Sequence, residues 1–382
     1  VINTKDVKAA KSVTLSFGSH QSGLPTSGIV QNLAKEFEKE TGIKVDFQIS
    51  PDAQWRDLIK VKLDSGEAPD IICVDTPISL ASSTHMDQYC EDLSDEEWVS
   101  RMSDAAQSAV SVDGVDYGIT FPGEKMEIFE DLNLEVPTTY EEFKNVCQTI
   151  LDAGITPIYE CTTNGWHQVL PLFETGGLWL QDDPDVYDKL NANETKLEDI
   201  THLKTIIEEL DECAQAGYFG TDYLSNAWEN AKEAMATGRC AMTIGELGFR
   251  NEVEADYPEF TADKLGMFVM PWGDNTEIGV NPASNAYFIN KDSKHVEEAK
   301  QFFEFLARPE NLQKRLDGQP ELSALCWPEI ASKYTEEDQA YIDSLEKANV
   351  VQTSVNYIDS QWMDIGKDLE AMYTGAMTPQ DV

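Results

Sequence analysis

"IKVDFQISPDAQWRDLIKVKLDSGEAPDIICVD", residues 43–75, carries two kinds of hydrophobic spacing in one short stretch. Ile43, Val45, Phe47 and Ile49 alternate, as on a strand with one buried side. Trp55, Leu58, Ile59 and Leu63 then recur at helical intervals, and Gly66 stops that run. "PDIICVD" (69–75) returns to a short apolar run typical of a buried strand. Upstream lie a strand, "VTLSF" (13–17), and a helix from Ser27 with Ile29, Val30, Leu33, Ala34 and Phe37 on one face and Gly42 at its end. The order is β-α-β-α-β, which predicts a parallel sheet wrapped by helices. Ligands of such sheets sit beyond the carboxyl ends of the strands. Two loops meet that condition, "GSHQSG" (18–23) and "DTP" (75–77).

Composition narrows the function. At 382 residues the chain is too long for one ordinary core and predicts two or three domains. Its formal charge of −42, from 70 acids against 28 bases, repels nucleic-acid backbones and anionic membrane surfaces, so neither is an expected partner. Seven cysteines are scattered with no C-x-x-C, and they read as small buried hydrophobes instead of a disulfide framework. No apolar run reaches the roughly 18 residues that a membrane span needs. The chain opens on Val1, and "VINTKDVKAAKS" reads as a polar tether left when a signal or anchor is removed. No H-E-x-x-H, G-x-S-x-G, P-loop, G-x-G-x-x-G or EF-hand run occurs, so no cofactor or metal is expected. A glycoside-active enzyme would need two placed carboxylates. Among 70 acids such pairs arise by chance and carry no weight.

The pattern repeats downstream. "AVSVDGVDYGIT" (109–120) is a hairpin turning at Asp113-Gly114. A helix then opens with Thr138 and Glu141 as a capping box, buries Phe143, Val146, Cys147, Ile150 and Leu151, and closes at Gly154. The strand Ile155 to Tyr159 leads into "YECTTNGWHQVLPLFETGGLWLQ" (159–181), a loop with large aromatics among amides and hydroxyls. "WENAKEAMATGRCAMTIGELG" (228–248) is a helix, a strand and a polar loop. "LGMFVMPWGD" (265–274) is a strand ending in a Pro-Trp corner, and "NAYFINK" (285–291) precedes a helix over 293–307.

In order, "LAKEFEKETGIKVDFQISPD", "LDSGEAPDIICVD", "GVDYGITFP", "LEVPTTYEEFKNVCQTILDAGITPI", "AMATGRCAMTIGELG", "FINKDSKHVEEAKQFFEFLARPENLQK" and "LEAMYTGAMTPQDV" cover nearly the whole chain. The set resembles the extracellular solute-binding proteins of carbohydrate ABC importers, the group related to maltose-binding protein. The resemblance implies an α/β, two-lobed periplasmic-binding-protein-like fold, each lobe a mostly parallel sheet flanked by helices, with hinge closure on a sugar. It places the first lobe at 1–121 and 277–320 and the second at 122–276 and 321–382. It also implies a monomer that delivers an oligosaccharide to a membrane permease. The expected setting is extracellular, as a membrane-tethered lipoprotein of a single-membrane, Gram-positive type bacterium. One departure stands out: the family usually places ten or so more residues where Gly123 here runs into Glu124. Either a crossover strand has been lost or the numbering closes over further residues at that junction, and the second is the expectation.

A neutral sugar presents hydroxyls and apolar C–H faces, so its site needs flat aromatic platforms with carboxylates and amides beside them. Trp166 is the expected platform, with Asn164 and His167 as polar neighbours. Asp75 ends a buried strand at the groove edge, and His20 lies in the loop after the first strand, where a neutral imidazole can bond hydroxyls. Glu246, Trp272, Asn285, Trp228 and Trp362 complete the candidates. Trp179 is expected to pack, and Trp55, Trp98 and Trp327 to be structural. A polyamine is the rival solute, held by Asp75 and Glu246; the scarcity of Arg and Lys in these loops speaks against a phosphosugar.

Overall fold

The computed structural model describes residues 12–25, 27–75, 85–129, 134–246, 249–260, 265–277, 279–318, 327–330, 336, 351–352 and 364–382. The opening pattern forms as its spacing predicts: β1 (Thr14–His20), α1 (Ile29–Thr41), β2 (Lys44–Ser50), α2 (Asp52–Ser65) and β3 (Ile71–Asp75). Both β2 and β3 pair with β1 in parallel. Each helix buries the stripe read from the sequence: Val30, Leu33, Ala34 and Phe37 on α1, and Trp55, Ile59 and Leu63 on α2. Gly42 and Gly66 end them at φ 77° and 74°, a left-handed cap that strains residues with a Cβ.

How closely α2 approaches the sheet is set by Gly18. A Cβ there would lie 2.6 Å from Pro69 Cγ and 2.7 Å from Trp55 Cη2. The Trp55 indole N–H donates to the Cys73 carbonyl at 2.9 Å, which pins the helix to β3. Its first residue, Asp52, is thereby brought beside the turn that follows β1.

The short hairpin β4 (Ser111–Val112) and β5 (Val115–Asp116) turns at Asp113 and Gly114, both with positive φ. Then follow β6 (Gly118–Phe129), β7 (Thr156–Ile158), β8 (Cys240–Glu246), β9 (Gly266–Phe268), β10 (Gly279–Ile289) and β11 (Val351–Gln352). The strand order is β2-β1-β3-β10-β6-β8-β7, with β9 on β6 and β11 on β10. Pairing is parallel at the two outer ends and antiparallel in the middle. Gly123 and Glu124 are consecutive in β6, opposite Asn281 and Val280.

Apolar packing divides into two principal cores. The first runs from Leu15 to Ile119 and from Ala286 to Trp327; the second from Tyr140 to Trp272 and from Ile365 to Tyr373. Trp327 lies past residue 320 yet packs in the first core, its indole donating to the Thr120 carbonyl at 3.2 Å. Trp55 and Trp98 are buried in the same core, and Trp179 packs edge-on against Phe173 in the second. Cys73, Cys90, Cys147, Cys161, Cys213 and Cys240 are buried and form no disulfide among the described residues. Among the described residues no helix is long and apolar enough to cross a membrane.

One local expectation shifts by a residue. The helix Tyr140–Asp152 is capped by Thr139, which accepts from the Glu142 N–H at 3.3 Å, while Glu142 accepts from the Thr138 N–H at 2.8 Å. The box therefore uses Thr139 and Glu142 in place of Thr138 and Glu141, because Thr139 takes the extended conformation and Thr138 only receives the returning carboxylate.

The second lobe also buries an acid. Glu160 follows β7, is wholly buried, and neither carboxyl oxygen has a hydrogen-bond partner among the described residues. Burial raises its pKa from 4.5 to about 8, so it is protonated at neutral pH. The folded chain thus holds a proton that the unfolded chain releases, and stability falls as pH rises from about 4.5 through about 8.

Two outcomes follow for stability. Gly18→Ala forces Trp55 and Pro69 apart and should cost about 1–3 kcal/mol in urea unfolding; an unchanged midpoint would show that α2 is not held by this contact. Glu160→Gln should raise the melting temperature more at pH 9 than at pH 5. An equal shift at both would mean that the carboxyl does not titrate in the fold.

Candidate functional site

The site is assembled around the Asp52 carboxylate. Asp52 follows Pro51, which is extended at φ −58° and ψ 141° and starts α2 directly at the end of β2. Within its own lobe the carboxylate accepts the Ser22 N–H at 2.9 Å and the Ser22 hydroxyl at 2.5 Å. Ser22 lies in the single helical turn Gln21–Gly23 after β1. The acid is thus fixed at the carboxyl end of the first strand, on the edge where an open α/β sheet receives ligands.

The second lobe reaches the same oxygen. Asn164 Nδ2 donates to Asp52 Oδ2 at 3.1 Å, and Trp166 Nε1 donates to it at 3.0 Å. Gly165, at φ 80°, stands between the two donors and turns the chain so that both can aim at one acceptor. Thr162 and Thr163 each donate a backbone N–H to the Asn226 carbonyl at 3.2 Å, tying this loop to the one carrying Trp228. Asn164 Oδ1 accepts the Trp228 N–H at 2.8 Å, and its Nδ2 also lies 3.4 Å from Glu229 Oε1.

Three rings back the polar edge. Trp166 meets His167 at 5.4 Å and Trp228 at 5.6 Å between centroids, both edge-on, and His167 lies 5.3 Å from Trp228. Phe249 supports Trp228 from beneath at 5.3 Å. His167 is buried, with Nε2 2.9 Å from the Ile244 carbonyl of β8, so it anchors the indoles to the sheet. Trp166 and Trp228 remain half-buried. A groove of about 270 Å³ opens here, lined by Gln21, Pro51, Asp52 and Ala53 from one lobe and Thr163, Asn164, Ala227 and Glu229 from the other.

Of the residues expected from sequence, Asn164, Trp166, His167 and Trp228 come together. His20, Asp75 and Asn285 lie along the sheet edge of the first lobe. β1 and β3 run out in the same direction, and Asn285 stands opposite Asp75 across the β3–β10 pair. His20 is buried, and its Nδ1 has no hydrogen-bond partner among the described residues; the same holds for Asn285 Oδ1. Glu246 ends β8, opposite Lys125 and two positions beyond the carbonyl that meets His167. Trp362 falls outside the described residues.

Trp272 is a correction. It is fully buried, edge-on to Phe143 at 5.1 Å, in the core of the second lobe. The Pro-Trp corner turns inward because Gly273, at φ 65°, packs its backbone where a Cβ would lie 3.0 Å from Leu178 and 3.2 Å from Ile206. The indole fills apolar space and does not face the groove.

Asp52 and Glu229 were missed from sequence. "SPDAQW" reads as the start of a helix, where an acid is favoured by the helix dipole whether or not it binds anything. The available signal was position: Asp52 follows the carboxyl end of β2, as Asp75 ends β3. Among the described residues no group of three or more His, Cys, Asp or Glu side chains is arranged to hold a metal ion.

Comparison with known proteins gives a consistent picture. A multiple sugar-binding protein of Streptococcus mutans serotype c is 23% identical over 318 residues, covering 76% of this chain and 71% of that protein. A sugar transporter of Bacillus licheniformis, solved in complex with stachyose, superposes with a TM-score of 0.77 at 20% identity over 96% of both chains. A chitin oligosaccharide binding protein superposes at 0.78 with 16% identity, over 97% of this chain and 96% of that one. Residues 23–313 match the family of the bacterial extracellular solute-binding protein, and with most of its length inside that match the chain belongs to it.

Proposed function

We propose that this protein binds a neutral oligosaccharide in the groove between its lobes and delivers it, unaltered, to the membrane permease of an ABC importer. The observation that carries this reading is the meeting of Asp52 with Trp166 and Asn164 across the groove. It places a fixed acceptor at the start of α2 together with an amide and an indole from the loop after β7. A pyranose ring needs that set: an apolar face to stack and directional partners for its hydroxyls. The sugar-binding relative and the stachyose complex support the same solute class.

In this proposal the lobes, 1–121 with 277–320 and 122–276 with 321–382, close by bending β6 and β10, with Trp327 travelling with the first. Closure excludes water and strengthens each hydrogen bond to the sugar. His20 and Asn285 supply further polar groups from the first lobe, and Asp75 at the end of β3 and Glu246 at the end of β8 are proposed as ligand residues by their strand positions. The setting is extracellular, with a lipid-anchored monomer at the membrane face. The groove's volume of about 270 Å³ falls just below the range of ligand pockets, roughly 300–1,000 Å³. Sugars of more than one ring therefore enter only as the lobes part.

The test is calorimetry against raffinose, stachyose, maltotriose, xylotriose and chitotriose, with spermidine as the charged comparator. A dissociation constant near micromolar, about −8 kcal/mol, is expected for a neutral sugar that is recovered intact. Binding of spermidine alone, or recovery of a cleaved sugar, would overturn the proposal. Trp166→Ala should weaken the best sugar by more than about 1 kcal/mol, roughly fivefold, and Trp166→Phe by less. Unchanged affinity in both would place the platform elsewhere.

A further inference from the structure

We infer that Asp52 is the carboxylate by which the first lobe reads the sugar, and that sugar hydroxyls bind there by displacing the Trp166 indole N–H and the Asn164 amide. This rests on the proposed sugar-binding function and names a residue and an exchange within the same site.

An ionised carboxylate accepts from about four directions. Ser22 fills one on each Asp52 oxygen, with its N–H at 2.9 Å and its hydroxyl at 2.5 Å. Both bonds lie within the first lobe, so they persist whatever the second lobe does, and they hold the acid in one orientation. Oδ2 also takes Asn164 at 3.1 Å and Trp166 at 3.0 Å from across the groove, so this oxygen carries three donors while Oδ1 carries the Ser22 N–H. The two bonds from across the groove are the ones that parting of the lobes must break. Two adjacent ring hydroxyls replace them one for one, so the half-buried carboxylate keeps its partners before and after.

The released donors are also provided for. Asn164 Nδ2 already lies 3.4 Å from Glu229 Oε1, its neighbour on the second lobe. Trp166 keeps its ring contacts with His167 and Trp228, so its plane is retained when its N–H is freed. Asp52 therefore acts twice: it holds the lobes together without sugar and then exchanges that hold for contact with the sugar. Hydroxyl donors make shorter and stronger bonds to a carboxylate than the indole and amide N–H donors they displace, so the exchange favours the sugar and its loss weakens binding. The competing structural role is the favourable position of an acid in the first turn of α2, which is indifferent to sugar.

The experiment uses Asp52→Asn, an isostere that can still accept the Ser22 N–H, with Asp52→Ser as a second variant should the first fold poorly. The indole N–H resonance of Trp166, identified by its loss in Trp166→Phe, should move in Asp52→Asn without sugar. In the wild type it should move on addition of the tightest binder among the five sugars above. Affinity for that sugar should fall at least twentyfold in Asp52→Asn while the melting temperature changes little. Binding within threefold of wild type, or an indole resonance unmoved by the substitution, would overturn this inference and leave the sugar-binding function standing. A wild type that binds none of the five sugars would overturn both.

Discussion

A single strand, β6, is paired with β10 over Gly118–Phe121 and with β8 over Lys125–Phe129, so one backbone segment belongs to both halves of the molecule. Its partner β10 has a register shift between Asn281 and Asn285, where the pairing passes from one half to the other. A ladder interrupted there is a natural place for bending, because fewer hydrogen bonds resist it. On either side the cores are of ordinary, interdigitated apolar packing. Rigid halves on a compliant crossing allow a groove whose two walls keep their shapes while their separation changes.

Each wall is built from elements that serve other purposes. Gly18 lets Trp55 press α2 onto the sheet, and the same contact sets where Asp52 begins the helix. His167 bonds the Ile244 carbonyl of β8 and thereby fixes the indoles of Trp166 and Trp228 against the second sheet. Precision at the groove thus comes from backbone and core contacts, with the loops contributing the chemical groups. The overall charge of −42 has little bearing on an uncharged solute, and at physiological salt its reach is limited to about 8 Å.

Much of this was legible beforehand. The change of period across residues 43–75 gave the parallel start, and Asp113-Gly114 gave the hairpin. "TTNGWH" reads as a loop because Thr, Asn and Gly around Trp166 favour a turn over a core strand, and the structure brings Asn164, Trp166, His167 and Trp228 together. Trp272 has similar local chemistry, with Pro and Gly on either side, but its fate is decided by Phe143, Leu178 and Ile206, which are distant in sequence. Local signals cannot report such partners. Asp52 was hidden for the opposite reason: an acid after Pro at a helix start already has a sufficient local explanation.

The central claim is that two walls grip a neutral sugar and change their separation to do so, and small-angle X-ray scattering reads that motion without reference to any side chain. Titrating raffinose, stachyose, maltotriose, xylotriose and chitotriose in turn, the account predicts a changed radius of gyration with at least one of them and the original value on its removal. A scattering profile that none of these sugars alters, with spermidine alone producing a change, would contradict it.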